Sequence, residues 1–377
     1  MASTSNGRVL RGQAGHLSRY DPAAGGAWLS ACFSDFRKAR GDTRRMEIRS
    51  CRQAVVRGLK WLLAQQAADG SIKPIEHGLN TFHKVPYALA LTGQLERGSR
   101  LCAWLQENVL DEEGDFTLRC ERQGPLASFY HYANSWLVMG AHRLGQFGVS
   151  LRAAELLATL QHPQTGGFLT MGPESSLDGM QDIMSSAMAG LAMINTGQIA
   201  TAQAVGQFLV SMYDRQPKLG SQMLFVQQKG DRLVNEWPEG QGQAFALTLR
   251  APEQWYFVPG LAGGFLAKLY EVTGQETHLQ AAQNYTQFAE SSGSDRYEGP
   301  NAWWFGWGAA MVYAVNGVAI YRRIAEEVAG HMVEDQMSNG TWAAGSMGYE
   351  PPAPIVDATA EGIIVLTEIL QGLVVGE

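Results

Sequence analysis

Apolar positions recur along the chain with helical spacing, and the helical segments alternate between two kinds. One kind keeps a polar face, which is typical of outer helices, and its predicted members are about 49–67, 95–110, 150–161, 199–214, 276–291 and 318–337. The other kind is rich in alanine, glycine and aromatic residues, which is typical of buried helices, and its predicted members are about 83–93, 128–145, 179–196, 254–273, 301–317 and 355–374. This alternation predicts an all-α fold, an (α/α)6 toroid of six helical hairpins.

A short Gly-Gln motif follows four of the inner segments at a regular spacing. Its glycines are Gly93, Gly145, Gly197 and Gly274, with gaps of 52, 52 and 77 residues. A glycine directly after a helix ends it in the left-handed conformation. The longest gap leaves about 25 additional residues, where two short apolar runs flank Lys-Gly-Asp at 229–231. These runs predict a small β-hairpin near 221–237.

A second motif ends the outer segments with a glycine turn and a large apolar residue that is predicted to pack into the core. It occurs at 66–72, 111–116, 161–168 and 336–342. Residues 336–342 (Gln-Met-Ser-Asn-Gly-Thr-Trp) match in full the Q-x-x-D/N-G-x-W repeat of terpenoid cyclases and protein prenyltransferase subunits. Residues 66–72 match except that Ile72 replaces the aromatic residue. Over about 50–375 the chain therefore resembles this family as an architecture.

A sharper likeness lies at 355–362 (Ile-Val-Asp-Ala-Thr-Ala-Glu-Gly). It resembles the V-S-D-C-T-A-E segment of oxidosqualene cyclases, whose aspartate protonates the substrate, and this resemblance implies that Asp357 is the acid. Ala358 stands where that family has the cysteine that helps to hold the aspartate. The alternative is that Asp357 is only the N-cap of an inner helix.

Several motifs of the same superfamily are missing. The chain has no D-x-D-D and no D-D-x-x-D motif, and no cysteine follows Cys120, so the zinc ligands of prenyltransferases have no counterpart. These absences disfavour diphosphate ionisation and protein prenylation. We therefore expect no cofactor and no metal ion.

The N-terminal ends of the inner helices are expected to surround the mouth of a central pocket. The substrate-binding candidates at or near these ends are Tyr87, Tyr130, Tyr132, Asn134, Trp136, Glu236, Trp255, Tyr256, Trp303, Trp304, Trp307 and Glu361. Aromatic faces stabilise cations, and they also grip flat polyenes and stack on sugar rings. Trp303 and Trp307 are predicted to share a helix face, with Trp304 pointing elsewhere. The alternative for these tryptophans is packing in the core.

Two further pairs are candidates for proton transfer. Asp178 and Asp182 are four residues apart and share a face if that segment is helical; two close carboxylates can hold one proton. The alternative is an N-cap and a solvated acid. His83 and His131 lie near the starts of inner helices, and paired histidines suit proton transfer at a sugar carbon, as in barrels of the N-acylglucosamine 2-epimerase type. The alternative for each histidine is a hydrogen-bonded core residue.

Composition narrows the classes of function. The 377 residues are 45% hydrophobic and 17% charged, which excludes a disordered protein. A formal net charge of −7 disfavours nucleic-acid binding. We expect no integral membrane span, no secretory signal, reduced cysteines and a cytoplasmic location. Residues 1–45 are predicted to be a flexible arm with one short helix near 28–37, and 46–377 a single toroid domain.

Three hypotheses of function follow. The first is a cofactor-independent cyclase or isomerase of a small hydrophobic terpenoid or polyene intermediate, in which Asp357 or the Asp178/Asp182 pair protonates the substrate. A Diels–Alder type ring closure in an aromatic pocket is one form of it. The second is a carbohydrate-active toroid, either a sugar epimerase or a glycoside hydrolase. The third is a non-catalytic binding toroid. No oligomeric state is predicted.

Overall fold

A computed structural model describes residues 48–73, 78–79, 81–117, 129–170, 179–228, 231–237, 239–343 and 353–377 of the chain. The predicted N-terminal arm and its boundary near residue 45 lie outside these residues and stay predictions.

Helices alternate between an outer and an inner layer. From the first, outer helix onward they are α1 (Ile48–Ala64), α2 (Val85–Leu91), α3 (Leu95–Asn108), α4 (Tyr132–Arg143), α5 (Phe147–Thr159), α6 (Ile183–Asn195) and α7 (Ile199–Asp214). After an insertion with the short helix α8 (Gly242–Phe245), the alternation resumes with an inner helix: α9 (Phe257–Thr273), α10 (Glu276–Glu290), α11 (Trp303–Asn316), α12 (Ala319–Glu334) and α13 (Ala353–Val375).

The inner helices form a closed ring. In ring order they are α2, α4, α6, α9, α11 and α13; each packs against the next, and α13 packs back against α2. The outer helices pack against this ring from outside. The predicted (α/α)6 toroid is therefore confirmed. The predicted helix ends differ from the observed ones by up to four residues, because the apolar pattern continues into the capping turns.

Both repeated turn motifs have the predicted structure. The glycines of the Gly-Gln motif have φ angles of 66° to 78°, the left-handed conformation that ends a helix. The apolar residues that close the second motif are all buried in the core: Ile72, Phe116, Phe168 and Trp342.

The glutamines of the second motif link neighbouring outer helices. In three of these turns the side-chain amide donates to a carbonyl of its own turn and to a carbonyl of the next outer helix. The donors are Gln66, Gln161 and Gln336, and the acceptors in the next helix are Arg97 of α3, Thr201 of α7 and Ala54 of α1. The last of these bonds joins the end of α12 to α1 and so closes the outer layer.

Short antiparallel strands lie in the insertion and directly before α6. They are β1 (Gln181–Asp182), β2 (Gln222–Leu224), β3 (Val226–Gln228), β4 (Arg232–Leu233) and β5 (Ala246–Thr248). The pairing of β3 with β4, with Gln228 opposite Arg232, confirms the predicted hairpin. In addition, β1 pairs with β3 and β2 pairs with β5. Asp182 lies opposite Val226, so the insertion is joined directly to the start of α6.

The segment Ile355–Val375 of α13 is long and apolar enough to cross a membrane by length and composition, and 67% of it is buried in the fold. It packs against α11, α1 and α2 as the sixth inner helix. Its hydropathy is accounted for by this position in the core.

Candidate active site

Three carboxylates lie along one face of the apolar helix α13. Asp357, Glu361 and Glu368 are spaced by four and seven residues, which brings them to nearly the same side of a helix with 3.6 residues per turn. Their side chains are only 12%, 14% and 5% exposed. Buried charges need partners, and these come from α2, α4 and α11.

The first two carboxylates share one lysine. The ammonium Nζ of Lys84, at the start of α2, lies 2.7 Å from Asp357 Oδ2 and 2.7 Å from Glu361 Oε2. Burial by itself lowers the pKa of Lys84, but Asp357 and Glu361 raise that pKa well above its ordinary value. The lysine is therefore charged. We call Lys84, Asp357, Glu361 and the neighbouring His83 the mouth cluster.

Asp357 is the member of this cluster that can carry a proton. Burial raises its pKa, against the opposing effect of Lys84. Its Oδ1 makes no hydrogen bond and lies 3.4 Å from Nε2 of His83. Nδ1 of His83 lies 2.9 Å from the carbonyl oxygen of Leu79. A carbonyl oxygen only accepts, so in neutral His83 the hydrogen is on Nδ1 and Nε2 is the acceptor that faces Asp357.

A chain of aromatic rings crosses the interior beside the mouth cluster. Tyr87 and Tyr132 both contact Trp136, with centroids 5.5 Å and 6.3 Å apart. Trp136 contacts Trp304 at 5.2 Å, and Trp304 contacts Trp307 at 5.2 Å. The indole N–H of Trp304 donates to Glu361. We call the Trp136–Trp304 contact the aromatic bridge, because it joins α4 to α11.

The third carboxylate accepts a hydrogen bond at both oxygens, and we call Glu368, Tyr87, Trp307 and Arg143 the far cluster. Glu368 Oε1 accepts from the hydroxyl of Tyr87 at 2.6 Å, and its Oε2 accepts from the indole N–H of Trp307. A guanidinium nitrogen of Arg143 lies 3.9 Å from Oε1, and the guanidinium lies 4.8 Å from the centre of the Tyr87 ring. Burial and Glu368 raise the pKa of Tyr87 well above its ordinary value, so its hydroxyl remains a donor.

The structure brings eight of the sequence candidates together in these two clusters and the aromatic chain: His83, Tyr87, Tyr132, Trp136, Trp304, Trp307, Asp357 and Glu361. Asp357 is not an N-cap, because α13 begins four residues earlier at Ala353. Ala358 is buried, and the donor that holds Asp357 is Lys84.

The predicted pairing of the tryptophans is wrong. Trp304 and Trp307 form the interior pair, since residues three apart on a helix are as close as residues four apart. Trp303 instead lies edge-on to Trp342, with centroids 6.4 Å apart. Trp303 is thus a core residue between α11 and the last outer turn.

The predicted pairing of Asp178 with Asp182 required a helical segment, and Asp182 does not lie in one. Asp182 has an extended backbone in β1, and it caps α6 by accepting from the N–H of Ser185 at 2.7 Å and from the hydroxyl of Thr170 at 2.8 Å. Burial raises its pKa. Asp178 lies outside the described residues. Asp182 is thus the N-cap of α6, as the alternative prediction stated.

The predicted histidine pair has two different surroundings. His83 belongs to the mouth cluster, whereas Nε2 of His131 contacts the carbonyl oxygen of Leu169. The His131 ring lies edge-on to Phe168. His131 thus joins the start of α4 to the turn after α5.

The remaining candidates have local structural partners. Tyr130 and Asn134 both donate to Asp115. The side chain of Trp255 packs on Phe129 and Phe257, the hydroxyl of Tyr256 donates to Asp295 at 2.7 Å, and Glu236 is exposed beside the insertion.

Sequence reasoning missed Glu368, Arg143 and the pairing of Lys84. The available signal was the helical spacing of three acids in an otherwise apolar segment. Among the described residues no group of three or more His, Cys, Asp and Glu side chains is arranged to hold a metal ion. The cation that lies between the carboxylates of Asp357 and Glu361 is the ammonium group of Lys84.

No protein-family model and no curated protein matches the chain, but solved structures do. A D-mannose isomerase matches with a TM-score of 0.63 and 9% identity over 88% of this chain and 100% of that one. The α-1,6-mannanase GH76A of Salegentibacter sp. HEL1_6 matches with a TM-score of 0.57 and 10% identity over 85% and 99%.

A type II terpene cyclase from Scytonema, in complex with geranylgeranyl dihydroxybenzoate, matches with a TM-score of 0.52 and 12% identity over 86% and 99%. At these identities the likeness is one of fold. The comparisons therefore support the toroid class that the terpenoid-cyclase resemblance implied. The chain is an (α/α)6 toroid similar in fold to enzymes that include hydrolases, an isomerase and a cyclase.

Proposed function

We propose that the protein is a cofactor-independent cyclase or isomerase of a small, apolar, unsaturated substrate, with Asp357 as the proton donor. The observation that carries this proposal is the mouth cluster itself. It holds a buried carboxyl group with one oxygen free of hydrogen bonds, next to a chain of five aromatic rings.

The charges of the cluster favour a proton on Asp357. One ammonium and two carboxylates have a net charge of −1, and a buried site penalises net charge. With Asp357 protonated the cluster is neutral, and Glu361 remains the counter-ion of Lys84 at 2.7 Å. The proton is therefore best placed on Oδ1, the oxygen that Lys84 does not use.

The same lysine makes Asp357 an effective acid. When the proton leaves, the new carboxylate lies 2.7 Å from the ammonium of Lys84, so charge that develops in the transition state has a partner already in place. In oxidosqualene cyclases, which this segment resembles, a cysteine helps to hold the aspartate. Here Lys84 supplies that hydrogen bond from α2.

The aromatic rings would stabilise the other product of the transfer. Protonation of a carbon–carbon double bond leaves a carbocation, and the faces of Trp136, Trp304 and Tyr132 attract positive charge. Ring closure or migration followed by loss of a proton regenerates a neutral isomer. Nε2 of His83, an acceptor beside Asp357 Oδ1, is placed to take up the proton that the cation loses and to pass it back to the acid. Atoms and electrons balance without a co-reactant.

A sugar isomerase is the second candidate. It is favoured by the 3.4 Å approach of His83 Nε2 to Asp357 Oδ1, an acid–base pair of the kind that moves a proton between sugar carbons. The apolar lining of rings around the pair supports the first candidate instead.

The decisive experiment combines apolar extracts from cells that make the protein with purified enzyme in D2O. Proton-driven isomerisation gives a product isomeric with its substrate that carries one deuterium in place of one hydrogen, and the Asp357→Asn variant gives none. A deuterium-free isomer that Asp357→Asn also forms contradicts the acid mechanism and supports a pericyclic closure. In a parallel incubation with aldoses in D2O, deuterium incorporation into the sugars alone identifies the sugar isomerase.

A further inference from the structure

The interior of the ring closes abruptly below the mouth cluster. The side chains of Asp357 and Glu361 are 12% and 14% exposed, so solvent reaches part of each side chain, but Oδ1 of Asp357 is itself buried. Trp136 and Trp304 are only 1% and 2% exposed, and Trp307 is 1% exposed. On the face of α13 that bears the acids, side-chain exposure thus falls from 14% at Glu361 to 5% at Glu368.

The aromatic bridge explains this closure. The helices α4 and α11 are three places apart in a ring of six, so they lie opposite each other. Contact between Trp136 of one and Trp304 of the other, with centroids 5.2 Å apart, must therefore span the centre of the ring. Tyr87 and Trp307 extend the same barrier on either side.

The barrier is held in place by hydrogen bonds rather than by packing alone. Glu361 accepts from the indole of Trp304, and Glu368 accepts from the indole of Trp307 and the hydroxyl of Tyr87. Two glycines of α9, Gly260 and Gly264, allow α11 to approach closely at Trp304 and Trp307. Hydrogen bonds thus fix Tyr87, Trp304 and Trp307, whereas Trp136 is held by its ring contacts with Tyr87, Tyr132 and Trp304.

We propose that the aromatic bridge is the specificity-determining floor of the substrate chamber, and that it restricts the enzyme to compact substrates. A molecule that reaches Asp357 from the mouth has only the space above Trp136 and Trp304. This inference rests on the proposed function in one respect, namely that the substrate enters from the side of the mouth cluster. What it adds is a limit on the length of the substrate, not on the reaction.

The test is a binding series with n-alkyltrimethylammonium ions from butyl to tetradecyl, measured by calorimetry on the full chain below the micelle concentration. The cationic head suits the aromatic rings and carboxylates. Each methylene that enters an apolar chamber strengthens binding about fourfold. In the wild type we expect this gain to stop once the chain reaches the floor.

We call the chain length at which this gain stops the break. Trp136→Leu opens the floor and should move the break to longer chains, and Trp136→Phe should move it less, in the same direction. The matched control is Trp104→Phe, since Trp104 packs on Phe82 from the outer helix α3. The proposal is overturned if folded Trp136 variants keep the wild-type break, if Trp104→Phe moves it equally, or if the wild type shows no break or no binding.

Binding and chemistry fail separately in these experiments. A moved break in Trp136→Leu with unimpaired deuterium incorporation in Asp357→Asn rejects the acid but keeps the floor. An unmoved break with a dead Asp357→Asn rejects the floor but keeps the acid.

Discussion

The mouth cluster and the far cluster are two solutions to the same problem on one helix. Each contains a buried carboxylate of α13 that accepts a hydrogen bond from an indole N–H of α11. At the far cluster both oxygens of Glu368 accept hydrogen bonds, from a hydroxyl and an indole. At the mouth cluster Asp357 keeps one oxygen without a hydrogen bond.

The difference shows how a structural acid and a reactive acid can be distinguished. A carboxylate with both oxygens hydrogen-bonded to the protein stabilises its surroundings. An acid with a spare oxygen costs stability but can give up a proton. We therefore expect substitutions to separate the two clusters, with activity lost at one and stability lost at the other.

The largest effect is expected for Asp357→Asn. The amide still accepts from Lys84, so the fold should lose less than about 1 kcal/mol, but it has no acidic proton. General acid catalysis contributes roughly 10²–10⁴-fold, so turnover in the D2O assay should fall by about 10³-fold. Turnover within about tenfold of the wild type would show that Asp357 is not the acid.

Lys84→Met should have the largest effect on stability. Removal of the ammonium leaves Glu361 without its counter-ion and Asp357 without its hydrogen-bond donor, and breaking a buried pair in this way costs about 3–5 kcal/mol. Urea denaturation measures the loss. The matched control is the double variant Lys84→Met/Glu361→Gln, which removes the unpaired charge and should recover part of the stability. No recovery would mean that the charges of the cluster do not interact.

Glu368→Gln should reverse the pattern of Asp357→Asn. A neutral amide cannot accept from both Tyr87 and Trp307 as well as a carboxylate does, and we expect a loss of about 1–3 kcal/mol in unfolding free energy. Turnover should stay within tenfold. A variant of normal stability but without activity would place Glu368 in the chemistry and remove the contrast between the clusters.

The smallest effect is expected from a titratable residue away from both clusters. His278 on α10 is fully buried, and burial lowers its pKa. Its neutral form is therefore favoured in the folded state, so the stability it provides is complete above its unfolded pKa of about 6.5 and is lost as the pH falls. Urea midpoints from pH 7.5 down to 5.5 should decline more steeply in the wild type than in His278→Gln. Equal slopes would show that His278 makes no contribution.

The toroid was predictable because its signals are local and repeated. A glycine after each inner helix and a glutamine turn after outer helices both have a structural role that recurs around the ring. The face of α13 that bears its acids was equally open to prediction from their spacing.

The partners of those acids were not predictable in the same way. Which residues meet inside the ring depends on the rotation of each inner helix, and the pairing of Lys84 with Asp357 joins residues 273 positions apart. The strand at Asp182 arises from pairing with β3, a distant segment that imposes an extended backbone on a sequence with helical pattern. Likewise Trp304 contacts Trp136 of α4, whereas Trp303 contacts Trp342 of the last outer turn, and both partners are distant in sequence.

The bond between Gln336 and Ala54 has a consequence for how the molecule comes apart. Open repeat arrays have terminal units that fray first. Here the last outer helix is linked to the first and α13 packs against α2, so every hairpin has two neighbours. Unfolding must first break the circle, and the hairpins should then lose hydrogen-exchange protection together rather than from either end of the chain.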